Sequence, residues 1–209
     1  MLNIQSYQKS YGHHLVLEIK NLQLSHGIYW IKGENGSGKS TLFKSIAGIL
    51  SFSGSISFAS FNLKKQPVAF RKLVNYTEAE PQFPLHLSLK DLIHYMAKAK
   101  KASKLQQEEL IETFAVQHYM HQPFRTYSSG MLKKSGLLLA FLGFAQLILL
   151  DEPFITIDQN AMMNLTQLII DYHKNGSLFL VASHVENKEM QLPFSQKFLI
   201  KDAQMHEED

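Results

Sequence analysis

Gly33-Glu34-Asn35-Gly36-Ser37-Gly38-Lys39-Ser40-Thr41 is the stretch that decides the fold. It fits G-x-x-x-x-G-K-[ST] at every fixed position. Its glycines permit backbone dihedrals that turn successive N–H groups inward to form a concave nest for anions. The segment before it, Ile28-Tyr29-Trp30-Ile31, reads as a buried strand. The segment after it, Ser40–Leu50, carries Leu42, Phe43, Ile46 and Leu50 at helical spacing. Strand, glycine loop and helix together form the context in which backbone N–H groups and a helix N-terminus face phosphates. Lys39 is then placed to reach the β- and γ-phosphate oxygens, and the Ser40 hydroxyl to ligate Mg²⁺. Chance alone gives the pattern in roughly one chain in a hundred of this length, and the flanking elements reduce that further. The loop is read as binding a nucleoside triphosphate with magnesium.

Working outward, short β-prone runs are expected at Leu2–Tyr7, His14–Ile19, Ser53–Phe58 and Leu73–Tyr76. Leu147–Leu150 and Leu178–Ala182 are wholly apolar and of strand length, and a helix is expected over Ala161–Lys174 between them. Buried apolar strands separated by helices indicate parallel pairing. From Ser88 to Phe124 the pattern is helical, with Ser88 as an N-cap and Asp91 in the first turn. The expected fold is a single α/β domain over residues 1–209. It has a P-loop NTPase core of mainly parallel sheet with helices, an N-terminal antiparallel β region and an inserted helical subdomain at about 85–135. The Leu147–Leu150 strand ends in Asp151-Glu152. A carboxylate there lies beside the phosphate loop when the two strands are neighbours. Asp151 is then a magnesium ligand, directly or through water, and Glu152 the group that polarises an attacking water.

Composition sets the outer limits. The chain has 209 residues, 45% hydrophobic, with 21 Lys+Arg against 18 Asp+Glu and a formal net charge of +3. That length buries one core, or one core with a smaller lobe attached, and the small charge excess gives no reason to expect a nucleic-acid partner. Cysteine is absent, which excludes a disulfide-stapled domain. No secretory leader is expected at Met1–Ser6, and the most apolar run, Gly136–Leu150, is too short to span a bilayer. His118 and His121 stand three apart without a third ligand, and read as solvated. Lys98, Lys100, Lys101 and Lys104 read as a solvated basic face, and Glu207-Glu208-Asp209 as a mobile end.

Tyr127-Ser128-Ser129-Gly130-Met131, followed by Lys133-Lys134 shortly before the Asp151 strand, resembles the signature motif of ABC-type ATPases, whose usual form is L-S-G-G-Q. Other motifs follow in that family's order. Asp158 matches the D-loop aspartate, His184 the switch histidine at a strand end, and Tyr11 the aromatic that stacks on adenine. The resemblance covers nearly the whole chain. It implies an ATP-binding and ATP-hydrolysing subunit of an ABC transporter, with ATP and Mg²⁺ as cofactors. The subunit would lie on the cytoplasmic face of the membrane, docked on an integral-membrane permease. Two copies would close head to tail around two ATP molecules. Each site would combine Lys39, Ser40, Asp151, Glu152 and His184 of one copy with Ser128, Ser129 and Gly130 of the other. Docking is expected at the Q-loop and helical insertion, where Phe83, Leu85 and Met96 are apolar. The tyrosine-led signature and small size resemble exporter cassettes, the haem-exporter cassette among them.

This sequence departs from that pattern at several places. Ser129 replaces the first signature glycine and Met131 the glutamine. Tyr76-Thr77-Glu78-Ala79-Glu80-Pro81 resembles Y-L-P-Q-E-P, which puts Ala79 in place of the glutamine that contacts magnesium and water. Glu78, Glu80 and Gln82 are the neighbours able to substitute, and the sequence does not choose between them. Phe154-Ile155-Thr156-Ile157-Asp158 differs from T-S-G-L-D. The Ala79 replacement keeps a second reading open, a soluble or weakly hydrolysing nucleotide-gated module not coupled to transport.

Overall fold

The computed structural model describes residues 1–184 and 191–208. Ten strands form one sheet: β1 (Leu2–Tyr11), β2 (His14–Leu24), β3 (Ile28–Lys32), β4 (Ser53–Phe58), β5 (Phe61–Asn62), β6 (Val74–Thr77), β7 (Leu147–Asp151), β8 (Leu178–Ser183), β9 (Gln196–Lys201) and β10 (Gln204–Glu208). Their order is β5-β4-β1-β2-β10-β9-β3-β8-β7-β6. β9, β3, β8, β7 and β6 run parallel, whereas β1 pairs antiparallel with β2 and β4. The mainly parallel core and the N-terminal antiparallel region are therefore both present.

Among the described residues six α-helices accompany the sheet: α1 (Lys39–Ile46), α2 (Pro67–Leu73), α3 (Leu89–Lys100), α4 (Lys104–Thr113), α5 (Ser129–Phe141) and α6 (Gln159–Lys174). Side-chain alternation on the central strands divides the core in two. Ile28, Trp30, Ile148, Leu150, Phe179 and Val181 share one apolar cluster with residues of α3–α6. Tyr29, Ile31, Leu147, Leu149, Leu178 and Leu180 face the other, with Leu42 and Phe43 of α1 and the N-terminal strands. A strand buried on both faces must be apolar at every position, which is why β7 and β8 read as unbroken hydrophobic runs.

Ser88 caps α3 in a reciprocal box with Asp91, as its sequence requires. Several expectations are corrected. β1 and β2 extend well past Tyr7 and Ile19, because their antiparallel pairing runs from Leu2↔Leu24 to Tyr11↔His14. α1 stops at Ile46, where Gly48 takes a positive φ of 74°, so Leu50 lies outside it. Of the acidic end, Glu207 and Glu208 belong to β10, and Glu208 pairs with Lys32 at 2.8 Å; Asp209 lies outside the described residues. Lys100 does not belong to a solvated face. Its ammonium donates to the carbonyls of Arg71 (2.6 Å) and Val74 (2.9 Å) and so closes the C-terminus of α2.

Candidate functional site

The loop between β3 and α1 is held open by glycine. Gly38, the N-cap of α1, has φ 109°, and a Cβ there would sit 3.2 Å from Val16 Cγ1. A side chain at this place would carry both left-handed strain and a contact with β2. Lys39 is buried, and its ammonium donates to the carbonyls of Gly33 (2.7 Å) and Glu34 (3.1 Å), while Glu152 Oε1 lies 3.7 Å away. Ser40, one residue further, is exposed on the first turn of α1.

β7 lies one strand away from β3, with β8 between them. Its terminal Asp151 is 1% exposed, and Oδ1 has no hydrogen-bond partner. Burial lifts this carboxyl above the usual carboxylate range; the Ser40 hydroxyl opposes the rise, Glu152 adds to it, and Lys133 and Lys39 oppose it. Glu152 leaves the strand at φ 46°, a left-handed conformation uncommon for a non-glycine residue. Its Oε1 accepts from the His184 amide (3.0 Å) and lies 2.8 Å from His184 Nδ1, whereas Oε2 is buried and unpartnered. The parallel pairing of β7 with β8 brings these two strand ends together. Lys39, Asp151, Glu152 and His184 thus form one cluster.

Two buried carboxylate oxygens without partners, beside an ammonium and a hydroxyl, suit a divalent cation carrying phosphate oxygens. Among the described residues no group of three or more His, Cys, Asp or Glu is placed to hold a metal. A magnesium ion here would therefore take its remaining ligands from phosphate and water.

The other sequence-derived residues lie elsewhere. Ser128 caps α5, accepting from the Met131 amide at 3.2 Å. Ser129 and Gly130 supply the first N–H groups of that helix, which have no intrahelical acceptor. A Cβ on Gly130 would come 3.1 Å from the Thr156 carbonyl, so the signature turn and the D-loop touch within one chain. Asp158 caps α6 through the Ala161 amide (2.9 Å) and pairs with Lys134 of α5. Both its oxygens therefore have structural partners. Tyr11 is 53% exposed at the β1–β2 turn, with the Lys9 ammonium 4.8 Å from its ring centroid.

Glu78 is paired with Lys44 at 3.0 Å, Glu80 is exposed, and Ala79 is half-buried. Two residues escaped the sequence reading. Tyr76 of β6 is raised above the ordinary phenol range, by burial first and then by the Asp151 and Glu78 carboxylates. Lys133 is fully buried on α5. The signal for it was present: Lys133, Leu137 and Ala140 follow helical spacing, which puts a lysine on a buried face.

A nucleotide-binding α/β protein of the phosphate-loop class is what this loop, strand and carboxylate pair define. The family model for ABC transporters matches residues 17–155, and the chain belongs to that family as an ATP-binding subunit. It is 28% identical over 187 residues to the lantibiotic transport ATP-binding protein SrtF of Streptococcus pyogenes, covering 88% of this chain and 80% of that protein. It is 29% identical over 163 residues to the cytochrome c biogenesis ATP-binding export protein CcmA of Legionella pneumophila, covering 76% and 79%. Among solved structures, an ATP-binding subunit of an ABC transporter superposes with a TM-score of 0.90 at 23% identity, over 100% of this chain and 89% of that one. A dimeric ATP-binding cassette bound to ADP and phosphate in a post-hydrolysis state superposes with a TM-score of 0.86 at 17% identity, over 100% and 98%. These likenesses concern the fold.

Proposed function

We propose that this protein hydrolyses ATP at a site completed by a second copy of itself and so powers a separate membrane permease, as an export cassette. The observation that carries the reading is the Glu152 carboxylate. His184 fixes one oxygen, and the other is buried and unpartnered within a cluster that includes Lys39. A carboxylate oriented in that way can take the proton of an attacking water. Lys39 stabilises charge on the transferring phosphoryl group, and the backbone nest from Gly33 to Thr41, with Glu34, Asn35, Gly36 and Ser37 between its ends, holds the triphosphate. Ser40 and Asp151 would hold magnesium, which would supply neutralisation of phosphate charge. From the second copy, Ser128 and the free amides of Ser129 and Gly130 meet the same phosphates at the positive end of α5. Tyr11 offers its exposed ring to adenine, and Asp158 orders the D-loop at the dimer seam.

Permease docking is supported by a groove of about 790 Å³ between β6 and α3. Ile49, Val68 and Tyr95 on its walls are exposed, and Arg71 and Lys72 line it as cations. An apolar helix bearing a carboxylate fits that chemistry. Phe83 and Met96 line the groove, but Leu85 does not. Phe83 stacks on Phe124 at 4.4 Å, so its replacement would disturb packing as well as docking. Among the described residues no helix is long and apolar enough to cross a membrane, and membrane attachment on the cytoplasmic side is assigned to the permease. We treat residues 1–209 as one ATPase domain, with the helical part at 85–135.

Steady-state ATPase assays on the wild type and Glu152→Gln test the chemistry. The expected outcome is a fall of about 10²–10⁴ in kcat, with the variant accumulating as an ATP-bound dimer in size-exclusion chromatography. Equal, negligible rates in both proteins would instead support the nucleotide-gated module that Ala79 suggests. For docking, Tyr95→Asp should weaken association with the co-expressed permease and leave nucleotide binding unchanged; undiminished association would count against the groove.

A further inference from the structure

Two adjacent lysines on α5 have opposite fates. Lys134 reaches outward to Asp158, whereas Lys133 is 1% exposed. The three hydrogens of the Lys133 ammonium go to three carbonyls: Glu78 at 3.2 Å, Ala79 at 2.9 Å and Asp151 at 3.0 Å. Two of these belong to the segment leaving β6 and the third to the last residue of β7, the neighbouring parallel strand. One side chain therefore ties the signature helix, the Q-loop and the magnesium-binding strand end together. Burying an ammonium is costly, and an apolar residue would pack there at less cost. Burial accordingly lowers this group to about 8. Such an arrangement needs a reason other than packing.

A second observation on the same helix points the same way. Gly136 lies one turn beyond Lys133, and a Cβ there would come 2.6 Å from Pro81 Cγ and 2.7 Å from Thr77 Oγ1. Glycine lets the Q-loop segment lie against α5, and Lys133 pins it. The Ala79 side chain has no polar group to offer, but its carbonyl is one of the three that Lys133 holds. Position is thus imposed on this loop through its backbone.

We propose that Lys133 is a positioning residue that couples α5 to the catalytic strand, so that displacement of the Ser128 end of the helix is passed to residues 78–81 and to the Asp151 backbone. The clamp itself is independent of nucleotide; its consequence for turnover rests on the ATPase reading above. A rigid link of this kind converts closure around phosphate into a change at the groove that β6 lines.

Hydrogen–deuterium exchange on the full chain, with and without Mg-ATP, tests both parts using Lys133→Met and Lys133→Gln. Without nucleotide, Lys133→Met should raise exchange of the amides at 78–81 roughly tenfold or more, and Lys133→Gln, able to keep two of the three bonds, should fall between. With Mg-ATP, the wild type should gain protection at 33–41 and at 78–83 together. Lys133→Met should keep the first, lose the second, and drop kcat roughly tenfold with KM and Tm held. Unchanged exchange at 78–81 in Lys133→Met overturns the clamp. Raised basal exchange with normal nucleotide-induced protection at 78–83 overturns the coupling. A wild type without protection at 33–41 would overturn the nucleotide reading and the coupling with it, while basal exchange would still decide the clamp.

Discussion

Thr156 occupies the D-loop position where the related pattern has glycine, and its φ is 64°. A β-branched side chain in the left-handed region is strained, because its Cβ approaches the following carbonyl. That conformation costs about 1–2 kcal/mol for a non-glycine residue. Thr156 is exposed, so removing its side chain sacrifices little apolar burial. Glycine adds unfolded-state entropy of about 0.5–1 kcal/mol against the gain. The net expectation for Thr156→Gly is stabilisation by about 0.5–1 kcal/mol, a rise in Tm of roughly 2–4 °C per kcal/mol at this chain length. Asn, which tolerates this region, should fall between Gly and Thr, and Ala should recover little. Differential scanning calorimetry of the four proteins at one scan rate provides the comparison. A Tm for Thr156→Gly equal to or below that of the wild type would refute the strain argument, as would an Ala variant matching Gly.

Stability should climb with pH between 8 and 10. Burial lowers Lys100 and Lys133 to about 8 from 10.5, so the unfolded chain holds more protons in that window and folding gains as they are released. Above pH 10 the buried phenols, Tyr7 among them at about 12, reverse the trend, since the folded chain then keeps protons that the unfolded chain loses. Urea midpoints at pH 7.5, 8.5 and 9.5 measure the rise, and Lys133→Met should cut its slope by about half, Lys100 supplying the rest; a flat or falling wild-type profile contradicts the assignment. Restoring the family glutamine by Ala79→Gln should change kcat by less than roughly threefold, because the backbone of this loop is already positioned through its carbonyls. A gain above tenfold in steady-state ATPase assays would show that the missing amide limits turnover.

The phosphate loop, the Asp151 strand and the capping of α3 were legible because each is determined locally. A glycine pattern, an unbroken apolar run and a Ser-x-x-Asp box carry their geometry in adjacent residues. β9 and β10 were not legible in the same way. Gln196–Lys201 lacks a clean apolar run and is a strand because β3 and β10 flank it. α2 is short and has only Phe70 buried, too weak a periodic signal to stand alone. The contact between Glu152 and His184 joins residues 32 apart, and follows only once β7 and β8 are known to be parallel neighbours. The Lys133 clamp likewise depends on where β6 and β7 end.

The departures from the family pattern share a physical character. Met131 replaces an amide, yet its thioether lies 3.4 Å from the Ser128 amide and completes the cap of α5. Thr156 stands where the resembled pattern has glycine and takes a positive φ. Ala79 loses a side-chain amide, while its carbonyl is held by Lys133. In each case the departing residue meets a defined partner or conformation in this chain: a cap, a left-handed turn, a clamped carbonyl. On the proposed reading, phosphate recognition rests on backbone N–H groups, Lys39 and the Asp151–Glu152 carboxylate pair, all of which are present in this chain. For the loop where the glutamine of the resembled pattern is missing, positioning falls, as proposed above, to the buried ammonium of Lys133, which holds the carbonyls of Glu78 and Ala79.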